Sequence, residues 1–583
     1  MATAPYSDPS DGTQSGTLTR RQFLIGAGAT AAMGAAPLAA SDPVRAADRG
    51  GAPADIHGGA QISLDGYHEL ANSERLQQKK GNDFQFDQRV DAVKDLGCDP
   101  NGGKPVQDTL NSKIEDGMLV VFPAGTYAAT GRINPDANRF GIVGKGYQEA
   151  TKPPKPGGES VVFKMKAGSP IKLFNIGAKE ALIGNFVIDQ RKDGEMAGVT
   201  ARSSGNVRVR DVRTVGAQTA VGNGDSTPFF FEPFARGGDS LIVFERCVAR
   251  GGGIPGTKNI GGSAGVGIFQ RNGETGRIVL KDCIIENMPD NGVYGARTTA
   301  EVIVLGGLYR NNDVSQVRVN GEARVDGVTI VIDEKNYTGL KSKANANERG
   351  PGWPGTNGLK LETDSTGAVS GGTVVKNCDL RANSVADAEQ SNLGGVVNFF
   401  ASAGAATLDN CRITNNVAST TSIIASNPSS APKQVAITVK NSVIQGNGAG
   451  QNAAVNISSR PRSIVKNTCL SYPNASKDDI KGAGASNVSF GQQCESGAGL
   501  KAPEKVGSAG NLSSLPAPSV SYNGTGGGAA RRRKKKKGLV KKIITTVFGG
   551  FLLIVFLFLG AIALIVVGAL AGFGTLAALL GGE

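Results

Sequence analysis

Histidine is nearly absent from this sequence. His57 and His68 are the only two in 583 residues. Any catalytic pairing that needs an imidazole beyond residue 68 is excluded, including the Ser-His and Cys-His arrangements that activate a nucleophile. The seven cysteines include no Cys-x-x-Cys, which with so little histidine argues against a zinc centre. Aromatic residues make up only 5%, with a single tryptophan, Trp353. No long stretch of the middle repeats its apolar residues every 3.6 positions, which excludes a helical bundle. A strongly acidic balance is missing as well.

The formal net charge is +13, but it is concentrated. The run RRRKKKKGLVKK from Arg531 to Lys542 carries nine positive charges and leaves +4 for everything else. The body of the chain is therefore not broadly basic. No aromatic platform is interleaved with the basic run, so nucleic acid is not an expected partner.

What the chain does have is glycine, 83 residues of it, and a recurring frame. A short apolar strand runs through a small residue, and an Asn follows five positions later. The frame is seen at Cys378 with Asn383, Cys411 with Asn416, Ser442 with Asn447, Cys469 with Asn474 and Gly307 with Asn312. Without the Asn it extends back through Val328, Cys283, Cys247, Val212 and Phe186. One such unit cannot bury its own apolar face, so the units must stack. An all-β parallel β-helix satisfies this, with coils about 4.8 Å apart and matching side chains in columns. The small residues are expected to form an inward column. The Asn residues are expected at turns, where Asn tolerates left-handed backbone. The column cysteines, Cys469 included, read as small buried residues rather than disulfides, because stacked coils hold their side chains parallel.

The two ends speak of a membrane. Arg20–Arg21, Phe23 and Leu24 precede a weakly apolar Ala/Gly stretch that ends at Ala46. This resembles a twin-arginine export signal, which implies folded export across the plasma membrane. At the other end an uncharged stretch, 543–582, is long enough for one span or two short ones. The expected organisation is a signal segment (1–46), an N-terminal extension (47–84), the β-helix (85–495), a Gly/Ser/Pro-rich linker (496–530), the basic cluster (531–542) and a transmembrane anchor (543–582). Basic residues beside a span usually stay in the cytoplasm, whereas the export signal carries them out. The ordered motif outweighs the charge bias. The expected location is the outer face of the plasma membrane, with the basic cluster against lipid headgroups.

Ahead of the repeats, DAVKDLGCDPNGGKPVQDTLNSKIEDGMLVVFPAGTYAATGRI reads as a turn, a short amphipathic helix over 106–114, a buried strand and a second turn. A helix here would cover an otherwise open sheet edge. With Asp95, Gly97, Asp99, Pro123, Gly125, Tyr127, Gly144 and Gly146, the segment resembles the start of pectate-lyase-like right-handed parallel β-helix proteins. That resemblance implies a right-handed coil with a capping helix. It also implies acidic or neutral polysaccharide as the substrate class, and either calcium-assisted lyase chemistry with an Arg or Lys base or glycoside hydrolysis. The family's Gly-His-Gly hydrolase element has no counterpart here. Arg460-Pro461-Arg462 echoes a lyase Arg/Pro motif only faintly.

Candidate site residues are the polar side chains beside long connections. Asp189, Arg191 and Asp193 follow the Phe186 strand. Asp225 lies near Phe229, Phe230 and Phe231. Asp290 and Tyr294 are followed by Arg297, and Arg318 comes about one coil later. We assign Asp189, Asp225, Asp290 and Arg318 to catalysis, as two carboxylates near an Arg. Arg191, Tyr294, Arg297 and Trp353 are assigned to substrate binding, with Trp353 either stacking on a sugar or fastening its own loop. Calcium is the one candidate cofactor, through Asp189, Asp193 and Asp225. Each Asp also has a plain reading as a turn residue. The expected function is an exported, membrane-anchored protein that binds or processes extracellular polysaccharide, by lyase-type cleavage if catalytic. The alternative is a non-catalytic surface or adhesion solenoid. Expected partners are a glycan and membrane lipid.

Overall fold

The computed structural model describes residues 83–491, apart from internal segments such as 217–228, 252–264 and 338–355, together with the strand Ser519–Tyr522. The expected signal, basic cluster and anchor lie outside the described residues. Among the described residues, no helix is long and apolar enough to cross a membrane.

Strands pair in parallel from one coil to the next, and each coil has three faces. One coil supplies Arg277–Lys281 to the first face, Ile284–Glu286 to the second and Asn291–Gly295 to the third. The next coil lays Glu301–Leu305, Leu308–Arg310 and Ser315–Val319 against them in register. Longer strands such as Glu180–Asp189 and Asn206–Val215 bend through the corner between the first two faces and belong to both. This is a parallel β-helix.

Alternation on each face sends one file inward. On the first face it runs Val209, Phe244, Leu280, Val304 and Val325; on the third, Ile268, Val293, Val317, Leu359 and Val397. All of these are fully buried. Each contributes on the order of 1.5–3 kcal/mol of burial energy, so the stack supplies its own core without a second layer.

The expected inward file of small residues is present. Val212 pairs with Phe186, and Cys247, Cys283, Cys378 and Cys411 continue it, all buried and free. The file has a reason for its composition. Cys378 Sγ donates to the Lys376 carbonyl at 3.0 Å, Cys411 Sγ to Asp409 at 3.4 Å, and Ser442 Oγ to Lys440 at 2.7 Å. Each is a small side chain that satisfies a corner carbonyl two residues back. Cys469 does not belong to the file. It pairs with Val443, one position outward, and is disulfide-bonded. Thr468 takes the inward place and donates to the Lys466 carbonyl at 2.9 Å. Two adjacent small residues hid the shift.

The left-handed turn column also differs from expectation. It is the residue just before the small one: Asn185, Asp211, Arg246, Asp282, Asn377, Asn410, Asn441 and Asn467 all have φ between 47° and 57°. Their side chains form a ladder up the corner. Asn410 Nδ2 donates to Asn377 Oδ1 at 2.8 Å, and Asn377 Nδ2 to Asp326 Oδ1 at 2.9 Å. Among the five expected turn residues only Asn474 is left-handed. Asn312 is instead buried, and its Nδ2 bonds the Ile285 carbonyl of the preceding coil at 3.0 Å.

The first coil is covered at its end and on its side. The helix Gln107–Lys113, with Val106 and Ile114 at its caps, sends Val106, Leu110 and Ile114 into the core. The strand Asp83–Phe86 lies on the outer surface of the first face, where Phe84 and Phe86 meet Leu119, Val121, Val143 and Leu182. Its hydrogen-bonding edge pairs in parallel with Ser519–Tyr522, a strand formed inside the Gly/Ser/Pro-rich stretch.

Candidate functional site

The outer surface of the third face carries a file unlike the others. In register it reads Thr200, Glu232, Phe269, Tyr294, Arg318, Lys360 and Asn398. These point away from the core because Ile268, Val293, Val317 and Leu359 beside them point in. Phe229, Val266, Phe269 and Tyr294 form an apolar cluster separate from the core. Phe229 stacks on Phe269 at 5.6 Å, and Phe269 meets Tyr294 edge-on at 5.7 Å.

Charges continue the file in both directions. Arg318 sits 4.2 Å from the Tyr294 ring centre and pairs with Glu362 at 2.5 Å. Lys360 holds the other oxygen of Glu362 at 2.6 Å and lies 4.3 Å from the Phe400 ring. Upstream, Glu232 accepts from Thr200 Oγ1 at 2.8 Å and pairs with Lys172 at 3.4 Å and Arg202 at 3.3 Å. Arg318 is 1% exposed and Lys360 2%.

Burial alone would push the Arg318 guanidinium down, but Tyr294, Glu362 and Asp290 outweigh it and raise its pKa. Burial also opposes the charge on Glu362, yet Arg318 and Lys360 bring its pKa down to about 2. Both groups therefore stay ionised at neutral pH. A guanidinium held this way binds and orients anions; it does not take up protons.

Of the sequence candidates, the structure brings Tyr294 and Arg318 together on the third face, with Asp290, just before the Tyr294 strand, near enough for its charge to act on Arg318. Asp290 is buried and accepts from Asn291 Nδ2 at 2.5 Å. Asp189 is elsewhere. It ends a second-face strand four coils before Arg318, about 19 Å along the axis. There Arg191 neutralises it at 2.7 Å, and burial is outweighed by that partner so that its pKa falls. Asp193, Asp225, Arg297 and Trp353 lie outside the described residues. Of the calcium set only Asp189 is described, and among the described residues no three acidic, His or Cys side chains are placed to hold a metal ion. Arg460 is a buried pin. Its guanidinium donates to the carbonyls of Phe400, Ala403 and Ser426.

A second cluster lies at the end of the second face. Glu286, whose side chain is 2% exposed, receives Arg250 Nε at 2.5 Å from one neighbouring coil and Arg310 Nη2 at 2.6 Å from the other. Arg250, Gly251, Glu286, Asn287 and Arg310 line a cleft of about 330 Å³.

Glu362, Lys360 and Glu232 were not foreseen as site residues. The sequence did hold a signal for the first two. NGLKL, at 357–361, is a third-face strand, though it lies within what reads as one long insertion from 333 to 372.

No protein-family model matches the chain, and no curated protein matches it. Solved structures resemble it at low identity. The A-module of mannuronan C-5 epimerase AlgE4 from Azotobacter vinelandii is 11% identical, covering 69% of this chain and 96% of that one, with a TM-score of 0.37. An α-1,3-glucanase catalytic unit from Streptomyces thermodiastaticus is 13% identical over 70% of this chain and 68% of its own, at 0.31. The surface protein and adhesin PfbA of Streptococcus pneumoniae is 12% identical over 69% and 97%, at 0.30. The fold assignment rests on the strand pairing described above.

Proposed function

We propose that this chain is an exported, membrane-anchored right-handed β-helix that binds extracellular polysaccharide along its third face. The observation that carries this is the outer file Phe269, Tyr294, Arg318 and Lys360. It sets rings and fixed positive charges one coil apart and, at 1–5% exposure, supports the third-face surface from beneath, where its oriented charge favours an anionic polymer without touching it. A straight file at a spacing of about 4.8 Å suits a linear polymer. The disulfide at Cys469 supports an oxidising location outside the cytoplasm. The uncharged stretch 543–582 beside the basic cluster supports anchoring.

Binding is favoured over cleavage. A lyase reading needs a base beside Asp290, and Arg318 keeps its proton. Two carboxylates and an Arg that act on one bond must share a face, and Asp189 stands on the second face, four coils before Arg318. The test is to incubate full-length protein with a panel of uronate and neutral polysaccharides, with and without calcium. Retention of polymer is measured alongside ultraviolet absorbance from unsaturated chain ends. Retention that Arg318→Gln weakens, without absorbance, is the expected result. Absorbance would establish lyase chemistry instead. No retention of any polymer would leave the adhesion reading, with a protein partner.

A further inference from the structure

The geometry points to a second binding site, for an oxyanion, at Arg250, Glu286 and Arg310. It lies on the second face, apart from the third-face file. The two guanidiniums come from coils on either side of Glu286, with their backbones about 10 Å apart. They converge because one carboxylate holds both, at 2.5 and 2.6 Å. The Glu286 side chain is only 2% exposed, while the Arg250 and Arg310 side chains are 54% and 46% exposed. The carboxylate therefore occupies the inner edge of each guanidinium. An arginine carries five N–H donors in a fixed fork, so each retains outward donors aimed at the cleft.

Charge favours an anion there. The cluster itself has two cations and one carboxylate. Arg213, in the coil before Arg250, adds a third cation, and its Nε is tied to the Pro154 carbonyl at 2.8 Å. Burial and the nearby Arg250 charge both push the Arg213 pKa down, so the two cations feel one another. Along this side Asp189 is neutralised by Arg191, and the carboxylate of Asp333, one coil beyond Arg310, accepts from Asn336 Nδ2 and Ser384 Oγ. Gly251 opens the floor of the cleft: it is left-handed at φ +66°, and a Cβ there would meet nothing within 4 Å. The cleft volume, about 330 Å³, accommodates a carboxylate or sulfate group together with part of the molecule that bears it.

The ligand is defined by a planar or tetrahedral oxyanion that two guanidiniums can share. It could be a free anion or a substituent on a polymer, and the probes separate these. Full-length protein is titrated with sodium sulfate, dextran sulfate and neutral dextran at constant ionic strength. The expected result is saturable binding of sulfate, dextran sulfate or both, with none of neutral dextran. Arg250→Gln and Arg310→Gln should each weaken it about tenfold, the loss of one charge-assisted hydrogen-bonded partner. Glu286→Gln supplies a readout that a purely structural ladder would not move. It removes the competing carboxylate and should tighten anion binding while lowering the melting temperature. Binding of dextran sulfate alone assigns the site to a polymer substituent; binding of free sulfate as well assigns it to oxyanions in general. Equal affinity in wild type and the Arg250→Gln/Arg310→Gln double variant, or no binding of any anion, overturns the inference. The polymer reading of the third face fails separately, through an unchanged Arg318→Gln.

Discussion

Arg318 lies one coil beyond Tyr294 in the same outward file, its guanidinium 4.2 Å from the ring centre. This contact joins the apolar half of the third-face file to its charged half. Desolvated cation–ring contacts contribute up to about 2 kcal/mol. Tyr294→Phe keeps the ring and should change stability by less than about 0.5 kcal/mol. Tyr294→Ala removes it and should cost at least about 3 kcal/mol, counting lost burial against Phe269. Denaturant unfolding of the two variants checks the difference.

Arg318, Glu362 and Lys360 form one buried ionic unit, so removing a single member should cost more than removing a matched pair. Arg318→Met leaves Glu362 short of a partner and is expected to destabilise by about 3 kcal/mol. Adding Glu362→Gln to that variant should restore part of the loss. A double-mutant cycle measures the coupling.

Acid should destabilise the fold through this site. The Glu362 pKa is brought from 4.5 down to about 2 by Arg318 and Lys360. A carboxylate depressed in the folded state stabilises the fold above its unfolded pKa and loses that effect as pH falls through the folded value. Roughly 3 kcal/mol is therefore present above pH 4.5 and disappears towards pH 2. Glu362→Gln should flatten this part of the pH–stability curve. A curve as steep as that of the wild type would contradict it.

The corner ladder predicts a reversal of the usual residue ranking. Asn410 is left-handed at φ 53° and donates to Asn377. Asn410→Ala loses the hydrogen bond and strains the backbone, for about 2 kcal/mol. Asn410→Gly loses only the bond and should cost about half as much. Thermal melts of the two, side by side, settle the order.

The cysteines should divide by role. Cys283→Val is expected to cost under about 1 kcal/mol, since Val212 and Val328 fill equivalent places in the file. Cys469→Ala should cost about 2–4 kcal/mol under oxidising conditions and little under reducing ones. Melting curves with and without reductant test both.

Much of this arrangement was legible in the sequence, and what was misread has physical causes. The repeat announced the stacking because an inward file tolerates few residue types. Cys247, Cys283, Cys378 and Cys411 could therefore be aligned by eye. The same tolerance misplaced Cys469, because Thr468 beside it fits the file equally well. The turn column was read six residues late, at Asn383, Asn416 and Asn447 in place of Asn377, Asn410 and Asn441, since Asn is abundant at both places and only backbone dihedrals separate them. Tyr294 and Arg318 meet because they fall at the same place in neighbouring units. Glu362 was not foreseen, because the insertion before it hid its coil. Asp189 was grouped with them as a polar residue beside a long connection, and that pattern carries no information about which face a side chain occupies.

The pairing of Asp83–Phe86 with Ser519–Tyr522 has a mechanical consequence. The stack ends in an exposed strand, Gly484–Phe490, yet the chain beyond it returns to the opposite end before continuing towards the basic cluster. Tension transmitted through the tail would reach the first rung, braced by Phe84 and Phe86, and bypass the last. A tower hauled from its foundation resists better than one unwound from its top.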